Sequence, residues 1–187
     1  MRKILFILTM SMFFAIPIFS QQNLTWSMAL IKGNSSLSFL QPVEMKDGES
    51  FNITIRPVQK CYAYIIVQDS EKQMMVFLDR SLAAGEIWQT KPITLTLPAG
   101  TETFYVVMSL SEQKDLKKAI DSFNKENNTR SARNLNTAVL EARRYASQFK
   151  ENPEKPVGMG GSFRGNEPMG TEFSGAQTYV KTIVINH

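Results

Sequence analysis

Residues 51–68 read Phe-Asn-Ile-Thr-Ile-Arg-Pro-Val-Gln-Lys-Cys-Tyr-Ala-Tyr-Ile-Ile-Val-Gln. Phe51, Ile53 and Ile55 alternate with Asn52, Thr54 and Arg56, the period-two pattern of a strand with one buried face. Cys61 to Gln68 follows with apolar residues on both parities, which suits a central strand covered on both sides. Pro57 to Lys60 is too short to hold a helix between them, so the two strands lie close in the chain.

The same pattern spreads outward. Asn23 to Ile31, Leu37 to Leu40, Met74 to Leu78, Ile93 to Leu97 and Thr103 to Met108 read as further short strands. Asp47-Gly48, Asp69-Ser70 and Pro98-Ala99-Gly100 supply turns between them. Strands and turns at this spacing predict an antiparallel sandwich or barrel, and of the two an immunoglobulin-like β-sandwich is expected. The period then changes. Ser109 and Glu112 have capping-box spacing, and Leu116, Ala119, Ile120 and Phe123 follow at helical intervals. After a polar break at Asn124 to Thr129, Ser131 is placed to cap a second helix. That helix carries Leu135, Val139, Ala142 and Ala146, and Pro153 and Pro156 lie beyond it. The mainly β fold is therefore expected to hold a two-helix hairpin over 110–150. A Gly-rich loop over 157–175 and a last strand over 177–186 follow it.

Residues 1–20 carry the n-region, h-region and small-residue pattern of a signal peptide: Arg2-Lys3, then Ile4 to Phe19, then Ser20. This predicts an exported protein, periplasmic or secreted. No membrane insertion is expected after cleavage, and 21–187 is expected to form one β-rich domain. Cys61 is the one cysteine, so an exported chain of this kind makes no internal disulfide. Its strand setting, with Lys60 aimed at the opposite face, predicts a buried and inert thiol.

The inventory argues against several chemistries. Of the 21 basic residues, 19 remain without Arg2 and Lys3, against 17 acidic ones, so no basic stripe for nucleic acid stands out. The one histidine, His187, rules out a multi-histidine metal centre and makes a histidine triad a poor fit; a solvated end is expected there. Gly158-Met159-Gly160-Gly161-Ser162-Phe163 has Phe where a dinucleotide loop needs its third Gly, and no helix follows it. No cofactor and no metal are expected. Carboxylates at Glu49, Asp69, Glu71, Asp79, Glu86 and Glu102 fall in or beside turns, where solvated side chains are usual.

Tyr62, Tyr64, Phe77, Trp88, Phe104 and Tyr105 are the aromatic residues that could line a ligand surface. With Cys61, Ala63 and Ile65 turned to the core, Tyr62 and Tyr64 form the expected partner-facing patch. Phe163 and Arg164, on the Gly-rich loop, are the second expected contact.

An ordered series of short motifs runs through 39–111. Asp47-Gly48-Glu49 precedes the Phe51 strand, and Cys61-Tyr62-Ala63-Tyr64 opens the central one. Asp69-Ser70, Val76-Phe77-Leu78, Ala84-Gly85-Glu86 and Pro98-Ala99-Gly100-Thr101-Glu102 follow in turn. In this order the region resembles a bacterial envelope module, the domain of unknown function family 4384. The resemblance implies a sandwich-like domain without known catalytic residues, found among exported and envelope proteins. Together these readings predict an exported, non-enzymatic binding or assembly module with a protein partner in the cell envelope. The alternative is a carbohydrate-binding or carbohydrate-active protein using surface aromatics and carboxylates.

Overall fold

The structure is a computed structural model that describes residues 23–159 and 169–187. The signal-peptide reading of residues 1–20 and the contact proposed for Phe163 and Arg164 lie outside the described residues.

Nine strands come first: β1 (Leu24–Lys32), β2 (Ser35–Leu37), β3 (Val43–Glu44), β4 (Ser50–Pro57), β5 (Cys61–Gln68), β6 (Met74–Leu82), β7 (Trp88–Gln89), β8 (Ile93–Thr94) and β9 (Thr101–Ser109). Helices α1 (Lys114–Glu126) and α2 (Thr129–Ala146) follow, and then β10 (Lys155–Gly158), β11 (Met169–Gly175) and β12 (Thr178–Asn186). One sheet runs β10-β11-β1-β4-β7, with β2 on β1 and β8 on β4. The other runs β3-β12-β9-β5-β6. All pairings are antiparallel except the short β3–β12 contact. The fold is a β-sandwich with a helical hairpin, as the alternating pattern predicts.

The sandwich core forms where the two sheets face each other. Trp26, Met28 and Leu30 of β1 and Ile53 and Ile55 of β4 meet Cys61, Ala63 and Ile65 of β5, Phe104 and Val106 of β9, and Ile183 and Ile185 of β12. A second core lies on the outer side of the β3–β6 sheet. There Tyr64, Ile66, Tyr105 and Val107 pack against Leu116 and Ile120 of α1 and Leu135 and Val139 of α2. The double-sided apolar sequence of β5 is explained by these two cores: one parity feeds each.

The helix boundaries differ in detail from the sequence reading. Ser109 does not cap α1; it ends β9, fully buried, with its Oγ 3.0 Å from Thr178 Oγ1 and accepting from Gln113 Nε2 at 2.8 Å. Sheet pairing by β9 outcompetes the capping box because Ser109 sits opposite both Tyr62 and Thr178. Asn128, not Ser131, is the N-cap of α2; its Oδ1 accepts from Ser131 N–H at 2.8 Å, while Ser131 Oγ accepts from Asn128 N–H at 3.1 Å. The break between the helices is only Asn127 and Asn128, with Asn127 left-handed at φ 42°.

The segment 157–175 is also corrected. Its described ends are strands: β10 pairs β11, and β11 pairs β1 with Phe173 directly opposite Trp26. Among the described residues, three strands therefore follow the helical hairpin. Gly170 serves close packing here. A Cβ on it would lie 2.4 Å from Met159 Cγ and 2.8 Å from the Met28 carbonyl oxygen. Gly170→Ala is expected to cost about 1–3 kcal/mol in urea unfolding, because the backbone oxygen cannot yield as a side chain can. Gly175→Ala, whose nearest neighbour would be Tyr179 Cδ2 at 3.4 Å, is the control expected to change stability little.

Candidate functional site

The tyrosine patch expected from the sequence is not formed. Tyr64 is 1 % exposed, beneath the helices, and its hydroxyl accepts from Gln113 N–H at 3.1 Å. Burial pushes its phenol above the ordinary range. Tyr62 is half-buried against the same core. The face opposite Cys61 is a face, as the parity implies, but the helical hairpin covers it. Phe104 and Tyr105 are buried too, one in each core. Of the aromatic residues considered as ligand contacts, Phe77 remains exposed. Cys61 is a buried free thiol, with burial foremost in pushing it up to about 11.

Four of the turn carboxylates, Glu49, Asp69, Asp79 and Glu86, have structural partners. Glu49 pairs with Lys32 at 2.6 Å, and Asp79 with Lys117 at 2.8 Å. Asp69 Oδ1 accepts from Glu71 N–H at 2.9 Å and Gln73 N–H at 2.7 Å, closing the β5–β6 turn. Glu86 accepts from Ala83 N–H at 2.8 Å and pairs with Arg80. Among the described residues no three His, Cys, Asp or Glu side chains converge as metal ligands. No described helix is long and apolar enough to cross a membrane.

His187 departs from the expected solvated end. Its side chain is fully buried, with Nδ1 2.8 Å from Asp47 Oδ1 and Nε2 3.6 Å from Glu102 Oε1. The backbone explains the burial: His187 and Gly100 exchange N–H···O bonds of 2.8 and 3.0 Å, which draws the ring down beside the β3–β4 turn. Burial raises the Glu102 carboxyl, and His187 offsets this only in part. A raised carboxyl stabilises the fold while protonated, below the ordinary glutamate range, and that contribution is lost as pH rises through its folded value. Glu102→Gln is therefore expected to raise the melting temperature at pH 7. The gain should vanish near pH 4 in a thermal-melt series.

The unused surface lies at β6. This nine-residue strand is the outer strand of its sheet, hydrogen-bonded to β5 on one side and to no described strand on the other. Its sequence begins Met74-Met75-Val76-Phe77-Leu78, with no charge and no Pro until Asp79. Edge strands are commonly blunted by such residues. A β-bulge places Phe77 as an extra residue, since Leu78 pairs Ile65 and Val76 pairs Ile66. Met75 is 39 % and Phe77 37 % exposed, with the Phe77 ring 6.4 Å from Phe104.

Helix α1 supplies a wall beside this edge. Met74 to Phe77, with Phe123, Asn124 and Asn127, line a groove of about 420 Å³. It shares Met74, Phe123 and Asn127 with a second groove of about 520 Å³, between the β5–β6 turn and the α1–α2 turn. Lys72 and Arg133 line that second groove, and no acidic residue lines either one. A third groove of about 560 Å³, between the start of α1 and the end of α2, has charges of both signs. In the sequence the β6 edge was visible only as an apolar run, because which strand stands last in a sheet depends on long-range pairing. Comparison with protein-family models, curated proteins and solved structures returns no match to this chain.

Proposed function

We propose that this chain is an exported, non-enzymatic binding or assembly module that receives an extended segment of a cell-envelope protein along the free edge of β6. The observation that carries the reading is this edge: unpaired among the described strands, uncharged from Met74 to Leu78, and flanked by Phe123. A row of main-chain N–H and C=O groups is matched along its length by another extended main chain, while side-chain grooves select the sequence. Export rests on the residue pattern of 1–20. The carbohydrate alternative loses support from Tyr64, Phe104 and Tyr105, which are packed inside.

The test is photo-crosslinking in cells that make the full chain. A crosslinker at position 77 is expected to capture an envelope protein, and Met75→Lys should abolish capture while leaving the circular dichroism spectrum unchanged. A crosslinker at exposed Tyr145 serves as the comparison. Capture from position 145 with none from position 77 would overturn the reading.

A further inference from the structure

We infer that the segment received by β6 lies antiparallel to it and carries a carboxylate at its C-terminal end. This rests on the edge-binding reading above and specifies the chemistry of its partner. Two independent features lead there.

The first is direction. β6 runs from Met74 to Leu82 and is antiparallel to β5, which is antiparallel to β9. Another antiparallel strand continues this ladder with the more stable of the two hydrogen-bond patterns. Its C-terminal end then lies beside Met74, where the two grooves join.

The second is charge. Lys72 and Arg133 line the groove at that end, both exposed. Neither forms an ion pair with a described residue. No acidic side chain lines either groove, so the charge of the lining itself is positive and suits an anion, with Asp69 and Glu71 of the β5–β6 turn outside that lining. Apolar positions next to Met75 and Phe77 and an acidic group next to Lys72 and Arg133 are the complementary set. A second copy of this chain fits less well: two-fold pairing about Val76 brings Lys72 opposite Arg80.

The experiment uses the folded chain and three fluorescent nonapeptides with blocked ends. Each has an alternating Val-Thr core, with two Glu at the C-terminal end, two Glu at the N-terminal end, or two Lys at the C-terminal end. By anisotropy, the first is expected to bind at least tenfold more tightly than the other two. Raising salt from 50 to 500 mM should narrow that margin. Lys72→Glu combined with Arg133→Glu should erase it, and Phe77→Lys should weaken all three peptides.

Equal binding of all three peptides, lost in Phe77→Lys, overturns the acidic-end inference and leaves the edge reading standing. Preference for the N-terminal acidic peptide overturns the antiparallel direction. No binding by any peptide up to 1 mM overturns both readings. A dimer in sedimentation equilibrium that Phe77→Lys dissolves assigns the edge to a second copy and also overturns the inference.

Discussion

Trp26→Ala is expected to lower stability by about 3–5 kcal/mol, the range for emptying a buried large aromatic site. Trp26 is fully buried, stacked on Phe173 at 4.4 Å and edge-on to Tyr179 at 5.9 Å. Phe173 belongs to its own sheet, directly opposite it on β11, whereas Tyr179 belongs to β12 of the other sheet. The indole therefore joins the two sheets, and alanine leaves a void between strands that are each fixed by their own ladders. Against a typical total of about 5–15 kcal/mol, the loss is a large fraction. Thermal melts followed by circular dichroism should fall by roughly 10 °C. Trp26→Phe is expected to cost less than about 2 kcal/mol. It keeps the stacking and removes a buried indole N–H that has no partner among the described residues. A Trp26→Ala protein melting within 2 °C of the parent would contradict this packing.

Leu135→Asp should produce a different failure, confined to the helices. Leu135 is fully buried in the outer core with Ile120, Val139, Ile66 and Val107. A carboxylate there loses the apolar contact and finds no basic side chain three or four positions away on α2, so a cost of about 3–5 kcal/mol is expected. Trp26 lies on the far side of the sheet and does not share this core. The ellipticity at 222 nm should therefore melt well before the tryptophan fluorescence of Trp26 and Trp88, both packed on the sandwich core, as a local opening rather than a global one. Tyr64 supplies an independent readout. Its phenol, raised by burial, should titrate nearer its ordinary value once the hairpin lifts. Coincident melting of both signals would show that the two cores are one cooperative unit.

Much of the architecture was legible because β periodicity is local. The alternation in Phe51, Ile53 and Ile55 and the double-sided run at Cys61 to Gln68 carry their own burial pattern. Tyr62 and Tyr64 face a second core rather than solvent. Parity separates the two faces of a strand, but it cannot say whether the second face meets water or a helix. The helices carried the answer in Leu116, Ile120, Leu135 and Val139, whose spacing demands an apolar partner surface. Gly170 shows the same limit of local pattern. A glycine run resembles a flexible connection in sequence, and only the approach of the Met28 carbonyl shows why a side chain is excluded. His187 was placed by a backbone exchange with Gly100, 87 positions away, which no local pattern encodes.

The position of β12 has a consequence for the timing of folding. This strand sits between β3 and β9, so residues 178–186 complete a sheet whose other members are drawn from residues 43–109. Until those last residues are available, β9 has an open side along its whole length, and Ile183 and Ile185 are missing from the sandwich core. Closure of a loop of 69 residues or more, from Ser109 to Thr178, must precede the β9–β12 contacts, which makes assembly slow compared with local helix formation. The native sheet is therefore inaccessible to a chain whose residues 178–186 have not yet been made. The order of strands makes closure of this sheet a late event of folding, after the pairings among β5, β6 and β9 are within reach.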